Sequence, residues 1–321
     1  MQIHVNFPLS EILHYKIGGN GAYVLEISSR KDLLEALAYV RAHNIQKVLP
    51  VGIGSNLLVS DSGYEGAVLW FNVKGAGGIE KKENGKIEVF AACLLDDVIQ
   101  FSFSNQLIGL EWAGGLPSTM GGAVRGNVGA FGSEIKNIVD SADVVDILDP
   151  TYALQRKNKE ELGFSYRNSV IKQQKNLIVA SCLLQFKEAT SEEIERAREV
   201  YLANIEYRKT HHDLDYPSCG SVFKNIVEKE KVERVLQKWP DITEQVESMW
   251  HGKVAMGYVN KRLGFSGFTV GGAQVSEKHG NYIINKKNAS FVDVMTIIGA
   301  IQHRVQQEFG FTPEPEVEIV D

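Results

Sequence analysis

The sequence predicts an α+β protein of more than one domain. Short β-prone runs bounded by Gly, Asn or Asp fill the first half. Strong amphipathic helices open at Thr190 and Ser290. The 321 residues exceed the ~100–200 that one core usually organises.

Taken in order, residues 23–27, 47–51, 57–60, 67–71 and 86–91 read as strands. One helix interrupts them over 30–43: Ser29 caps it, and Leu33, Leu34, Leu37, Ala38 and Arg41 follow helical spacing. Residues 143–148 and 177–186 are further strands. Thr190 then opens a helix with Glu193 three positions on and Ile194, Ala197, Tyr201 and Ile205 along one face. A domain boundary falls near it. Beyond lies a mixed α+β region, closed by a helix from Ser290 whose Val294, Ile297, Ile298, Ile301 and Val305 form an apolar stripe. The prolines of Pro313-Glu-Pro-Glu-Val317 hold the tail out of the α region, so it runs extended.

Composition excludes several classes. Lys+Arg 34 against Asp+Glu 40 gives a net charge of −6, unsuited to a protein built mainly to hold nucleic acid or anionic membrane. No apolar run approaches the ~18–20 residues of a membrane span, and the N-terminus lacks the pattern of a secretory leader. Cys93, Cys182 and Cys219 are odd in number and far apart, which argues against a disulfide framework or metal cluster and for a reducing cytoplasm. The oligomeric state stays open.

Glycine carries the chemical signal. Seven of the 19 positions from Gly114 to Gly132 are glycine, where backbone needs positive φ or close approach. Within that stretch Pro117 suits the first turn of a helix, with Ser118 or Thr119 donating nearby. Gly121 and Gly122 would each cost that helix ~1 kcal/mol relative to alanine. A bare helix start facing a flat or phosphorylated ligand explains the cost better than close helix–sheet packing. Gly52-Ile-Gly-Ser-Asn-Leu57 is a second glycine turn, between two strands. It reads either as a tight β-turn or as a run of backbone N–H groups for phosphate, with Ser55 and Asn56 adding donors.

Three polar clusters follow. Phe164-Ser-Tyr-Arg-Asn-Ser169 sets Arg167 beside Tyr166. Tyr216-Pro-Ser-Cys-Gly-Ser-Val-Phe-Lys-Asn225 is a turn and strand whose alternation puts Ser221, Phe223 and Asn225 on one face, opposite Val222 and Lys224. No His–acid pair marks Ser221 as an acyl-transfer nucleophile, and Cys219 reads as a small packed residue. Gly271-Gly-Ala-Gln-Val-Ser-Glu-Lys-His-Gly-Asn281 is a polar loop before a strand over 282–285, with His279 read as structural.

These segments, with Lys16-Ile-Gly-Gly19 and Glu314-Pro-Glu-Val317, occur in one order along nearly the whole chain. In that order the sequence resembles the UDP-N-acetylenolpyruvoylglucosamine reductase family, flavoenzymes of bacterial cell-wall precursor synthesis. The resemblance implies a vanillyl-alcohol-oxidase-like FAD-binding fold in two lobes, 1–66 joined by the tail 312–321 and 67–198, plus a smaller α+β domain over 199–311 for the UDP-sugar. It implies non-covalent FAD held by Gly52, Ile53, Gly54, Ser55, Asn56, Leu57, Gly115, Pro117, Ser118, Gly121, Gly122, Ala123, Asn127, Gly129, Ala130 and Gly132. NADPH would be the hydride donor, and the enolpyruvyl ether of UDP-N-acetylglucosamine the substrate, reduced to UDP-N-acetylmuramate.

By matching motifs Arg167, Ser221 and Glu316 take the catalytic positions. Arg167 and Glu316, the latter in its protonated form, would stabilise charge on C2 and its carboxylate, and Ser221 would deliver the proton to C2 as general acid. Tyr166, Lys224, Asn225 and Arg208 are candidate substrate contacts. Two departures stand out. Ser118 replaces the family's usual glycine, and the stretch 167–208 lacks the loop insertion of one subclass. The segment 226–254, with Trp239, Trp250 and His251, is longer than the loop-less subclass suggests.

Overall fold

Two hydrophobic cores organise the chain, which a computed structural model describes over residues 1–74 and 77–321. One unit comprises Met1–Phe7, Gly21–Ile53 and Glu65–Arg208; the other comprises Pro8–Asn20, Gly54–Tyr64 and Lys209–Asp321.

In the first unit a five-stranded antiparallel sheet runs in the order Leu154–Asn158, Val139–Asp146, Leu177–Gln185, Lys86–Phe90, Ile79–Lys81. Its central strands, Val139–Asp146 and Leu177–Gln185, are buried over most of their length, with Ser141, Asp143 and Ser181 among the buried residues. A four-stranded sheet has the order Gln2–Pro8, Asn20–Ile27, Tyr64–Phe71, Val48–Val51, with the last pair parallel. The helix Arg30–Ala42 buries Leu33, Ala36, Leu37 and Val40, and the Ser29 hydroxyl caps it by accepting from Asp32 N. Thr190 and Glu193 bond reciprocally at the start of helix Ser191–His211.

The second unit is built on a four-stranded antiparallel sheet, Ser218–Ser221, Tyr282–Asn285, Ala273–Val275, Thr269–Val270. Helix Phe291–Phe309 buries Val294, Ile297, Ile298, Ile301, Val305 and Phe309 in its core, and Ser290 and Asp293 form its capping box. The tail runs extended through Pro313 and Pro315, then forms a strand, Glu318–Val320, parallel to Leu57–Val59.

Some elements differ from expectation. Helix Leu95–Ser104 was not foreseen: its N-cap is Leu94, which has no capping side chain, so the usual start signal is missing. The 226–254 segment folds into helix Lys229–Lys238, a 3-10 turn Pro240–Ile242 and a π-helical turn Gln245–Met249. Its Trp239 is a core residue, edge-on to Phe309 at 4.8 Å with Arg262 over its ring at 4.5 Å. The strand expected to run on through Asn225 stops earlier. The strand ends at Ser221 after a register shift, so the period of two has no ladder to follow.

Candidate active site

The glycine-rich stretch forms helix Met120–Gly126, which starts three residues beyond Pro117. Of the two hydroxyl residues expected near its start, Thr119 is the N-cap, and its hydroxyl accepts from Gly122 N at 3.3 Å. Leu95 N donates to the Ser118 carbonyl, which pins the approach to the helix. The helix buries Met120, Ala123 and Val124 on its inner face.

The glycines divide by what a side chain would meet. A Cβ on Gly121 would lie 2.9 Å from Ala91 Cβ, and one on Gly52 would lie 2.4 Å from Thr119 Oγ1, so close packing demands both. Gly129 is also packed, its Cβ position lying 2.5 Å from Ser133 O. Gly122 is different: it is exposed, and its Cβ would meet only the Thr119 and Ser118 hydroxyls at 3.3 and 3.5 Å. Gly126 and Gly132 have nothing within 4 Å among the described residues. Gly132 is set by its backbone, at φ 80°. Bare backbone at Gly122 and Gly126 fits a large flat group with phosphates, since a side chain there would cover the surface without improving the fold.

Asn127 ends the helix in the left-handed region at φ 44° and is fully buried. Its amide donates to Ser165 O at 2.8 Å, and its carbonyl accepts from Lys136 N. The Ser169 hydroxyl adds a bond to Arg125 O at 2.7 Å. Asn127 and Ser169 therefore tie the glycine helix to a tight turn in which Ser165 and Asn168 exchange backbone bonds and Arg167 occupies the tip at φ 54°. Arg167 donates to Gly129 O at 2.6 Å and lies 5.2 Å from the Tyr166 ring centroid. On helix Ser191–His211, buried Arg208 donates from Nε to Gly114 O, packs against Gly115 and sits 5.3 Å from the Phe131 ring.

In the second unit the strand Ser218–Ser221 carries a bulge at Cys219 and Gly220, with Gly220 at φ 75°. Such an insertion turns the following side chain away from the line of the strand, here Ser221. Asn281 holds the next residues: its side-chain carbonyl accepts from Phe223 N and its amide donates to Phe223 O. Val222 N donates to Asn281 O at 2.8 Å. The Val222 carbonyl accepts from Glu316 N at 2.7 Å, which ties the tail backbone to the residue next to Ser221. Asn56 completes this corner by donating to Glu316 O, while its own carbonyl accepts from Glu318 N. Cys219 is buried, and burial pushes its thiol up to about 12, as expected for a packed residue.

A family model for the C-terminal domain of UDP-N-acetylenolpyruvoylglucosamine reductase matches residues 212–320, and one for an FAD binding domain matches 21–151. The reductase of that name from Caldanaerobacter subterraneus is 33% identical over 319 residues, 99% of this chain and 94% of its own. That from Lachnoclostridium phytofermentans is 32% identical over 99% of this chain and 93% of its own. This chain belongs to the UDP-N-acetylenolpyruvoylglucosamine reductase family. The solved reductase (MurB) of Thermus caldophilus agrees in structure, with a TM-score of 0.71 at 26% identity, covering 100% of this chain and 98% of that one. The fold is thus the α+β, FAD-binding architecture of this reductase family.

The predicted residues of this family member fall into two groups. In the first unit, Gly52, Gly115, Ser118, Gly121, Gly122, Ala123, Asn127, Gly129 and Arg167 are linked through the glycine helix and its caps. In the second, Ser221, Glu316 and Asn56 share one corner, and Leu57 pairs with Glu318. Lys224 is ion-paired with Glu314, and the Asn225 carbonyl accepts from Met256 N, so both also brace the local backbone. Thr119 was one of the two hydroxyl residues expected at the helix start, where it accepts a hydrogen bond rather than donating one. Asn281 was missed as a site-building residue, because its role depends on strand pairing.

Proposed function

We propose that this chain reduces the enolpyruvyl group of UDP-N-acetylglucosamine-enolpyruvate to give UDP-N-acetylmuramate. Membership of the reductase family supports the reaction, and the contact that carries the assignment of residues is Glu316 N on Val222 O beside Ser221. FAD, when bound, supplies the hydride carrier between NADPH and C3 of the enolpyruvyl group. Binding is non-covalent. Cys93, whose carbonyl accepts from Met120 N at the glycine helix, is buried, and burial pushes its thiol up to about 11, away from nucleophilic attachment.

As hydride arrives at C3, negative charge builds on C2 and its carboxylate. Arg167 balances that charge, and its donation to Gly129 O fixes the guanidinium in advance. Ser221 gives the proton to C2 from the strand end, and Glu316 bears on the same carbon from the tail. Tyr166, Lys224, Asn225 and Arg208 orient the nucleotide sugar. The functional division is 1–66 with the tail 312–321, then 67–198, then 199–311; pairing of Glu318–Val320 with Leu57–Val59 supports joining the tail to the first lobe. No helix among the described residues is long and apolar enough to cross a membrane. We assign the enzyme to the cytoplasm, where NADPH and nucleotide sugars are supplied, and to peptidoglycan precursor synthesis, hence to cell shape and division.

The test is spectroscopic. The purified protein is expected to be yellow, to bleach anaerobically with NADPH, and to regain colour on addition of the enolpyruvyl substrate. Colour that returns equally with UDP-N-acetylglucosamine lacking the enolpyruvyl group would contradict the assignment.

A further inference from the structure

Ser221 and Tyr282 are direct partners across the antiparallel pair of Ser218–Ser221 with Tyr282–Asn285. At the neighbouring position Val222 N donates to Asn281 O, so Ser221–Tyr282 is a non-hydrogen-bonded pair. In such pairs the side chains share a face with Cβ atoms about 4.5–5.5 Å apart. The Tyr282 ring is itself held. It stacks on His212 with centroids 4.8 Å apart and planes at 24°, and meets His279 edge-on at 4.6 Å. His212 is buried and packs edge-on against His279 at 4.9 Å. His279 is fixed in turn: Asn281 N donates to its Nδ1, and Gly257 leaves it room, since a Cβ there would lie 3.4 Å from Cε1.

We propose that Tyr282, clamped by His212 and His279, is a positioning residue that walls one side of Ser221 and holds its hydroxyl in the rotamer aimed at C2. The proposal rests on Ser221 being the proton donor. A serine hydroxyl has three staggered positions, and a neighbour fixed beside its Cβ restricts them. Ser221 is the last residue of its strand, just after the bulge at Cys219 and Gly220, so no further strand residue holds it. Ring packing is the requirement here, and the phenolic hydroxyl plays no part.

The experiment is a double-mutant cycle read on the separate half-reactions by stopped-flow flavin absorbance. Tyr282→Ala is expected to slow reoxidation by the enolpyruvyl substrate about 10–100-fold, the cost of a misplaced reacting group, with flavin reduction by NADPH unchanged. Tyr282→Phe and His212→Phe keep the stack and should restore near-normal reoxidation. In a Ser221→Ala background, Tyr282→Ala should add nothing further, because it acts through the hydroxyl already removed. If Tyr282→Ala loses flavin, Tyr282→Leu, which fills more of the space, carries the same cycle. An additive effect in the Ser221→Ala background, normal reoxidation in Tyr282→Ala and Tyr282→Leu, or loss of rate in Tyr282→Phe would each overturn the proposal while leaving Ser221 in place. Fast reoxidation in Ser221→Ala alone would instead remove the underlying reading, and the proposal with it.

Discussion

Two adjacent glycines, Gly121 and Gly122, do different work. A methyl on Gly121 would meet Ala91 Cβ at 2.9 Å, whereas one on Gly122 would meet only two hydroxyls beyond 3.2 Å. Gly121→Ala should therefore lower the unfolding midpoint through overpacking, typically by ~1–3 kcal/mol. Gly122→Leu should leave folding nearly intact and deplete the purified protein of flavin, because its side chain occupies the exposed face at the helix start. Absorbance at the flavin band and thermal denaturation of both variants check this; equal flavin content in Gly122→Leu and the parent would contradict the cofactor role. Sequence reading singled out both glycines without separating them, because the separation depends on Ala91, which the chain brings up from thirty positions away. Ser221, Arg167 and Glu316 were legible as motif residues. Tyr282 was not, since nothing local marks it as the strand partner of Ser221.

The long helices with side-chain caps were readable, while the four-residue Val170–Gln173, capped by Ser169, was not. Ser29, Thr190 and Ser290 each announce a helix, whereas Leu95–Ser104 begins after Leu94 and gives no signal. The tail shows how an element limits an experiment. Val317 and Pro313 are buried, and Glu318–Val320 pairs with Leu57–Val59, so deleting 312–321 should destabilise the second unit as well as remove Glu316. Glu316→Gln is the cleaner variant. It should keep the folded, yellow protein and slow substrate reduction while flavin reduction proceeds normally; unchanged substrate turnover would remove Glu316 from the mechanism. In the five-stranded sheet, Asp143 joins three strands by bonding Arg156 and Ser181. The Arg156 guanidinium holds its carboxyl below the usual carboxylate range. Its contribution is therefore fully present above the unfolded pKa of ~3.9 and is lost as pH falls through the lower folded value. Asp143→Asn should be less stable than the parent at neutral pH, and the gap should close below about pH 4. Urea midpoints across pH 2.5–7, taken at roughly half-unit steps, measure it; a gap independent of pH would contradict the assignment.

At the scale of the whole molecule, each unit carries its own core and its own share of the residues proposed for the site. The glycine helix, Asn127 and Arg167 belong to the first, and Ser221 with Glu316 to the second. The α+β class and most strand positions were legible from β-prone runs and turn residues. The way the chain recrosses between units at Phe7, Gly21, Ile53 and Glu65 was not, because three of these crossings fall at the ends of strands, where no local signal marks a change of unit. The account divides labour in time as well: flavin reduction by NADPH needs no proton donor to C2, while substrate reduction does. Mixing pre-reduced Ser221→Ala with the enolpyruvyl substrate under anaerobic conditions, and following the return of flavin absorbance, tests this most directly. Reoxidation slowed by ~10²–10⁴-fold, with NADPH-driven reduction at the parental rate and partial recovery in Ser221→Cys, is the predicted result. Reoxidation at the parental rate would contradict it.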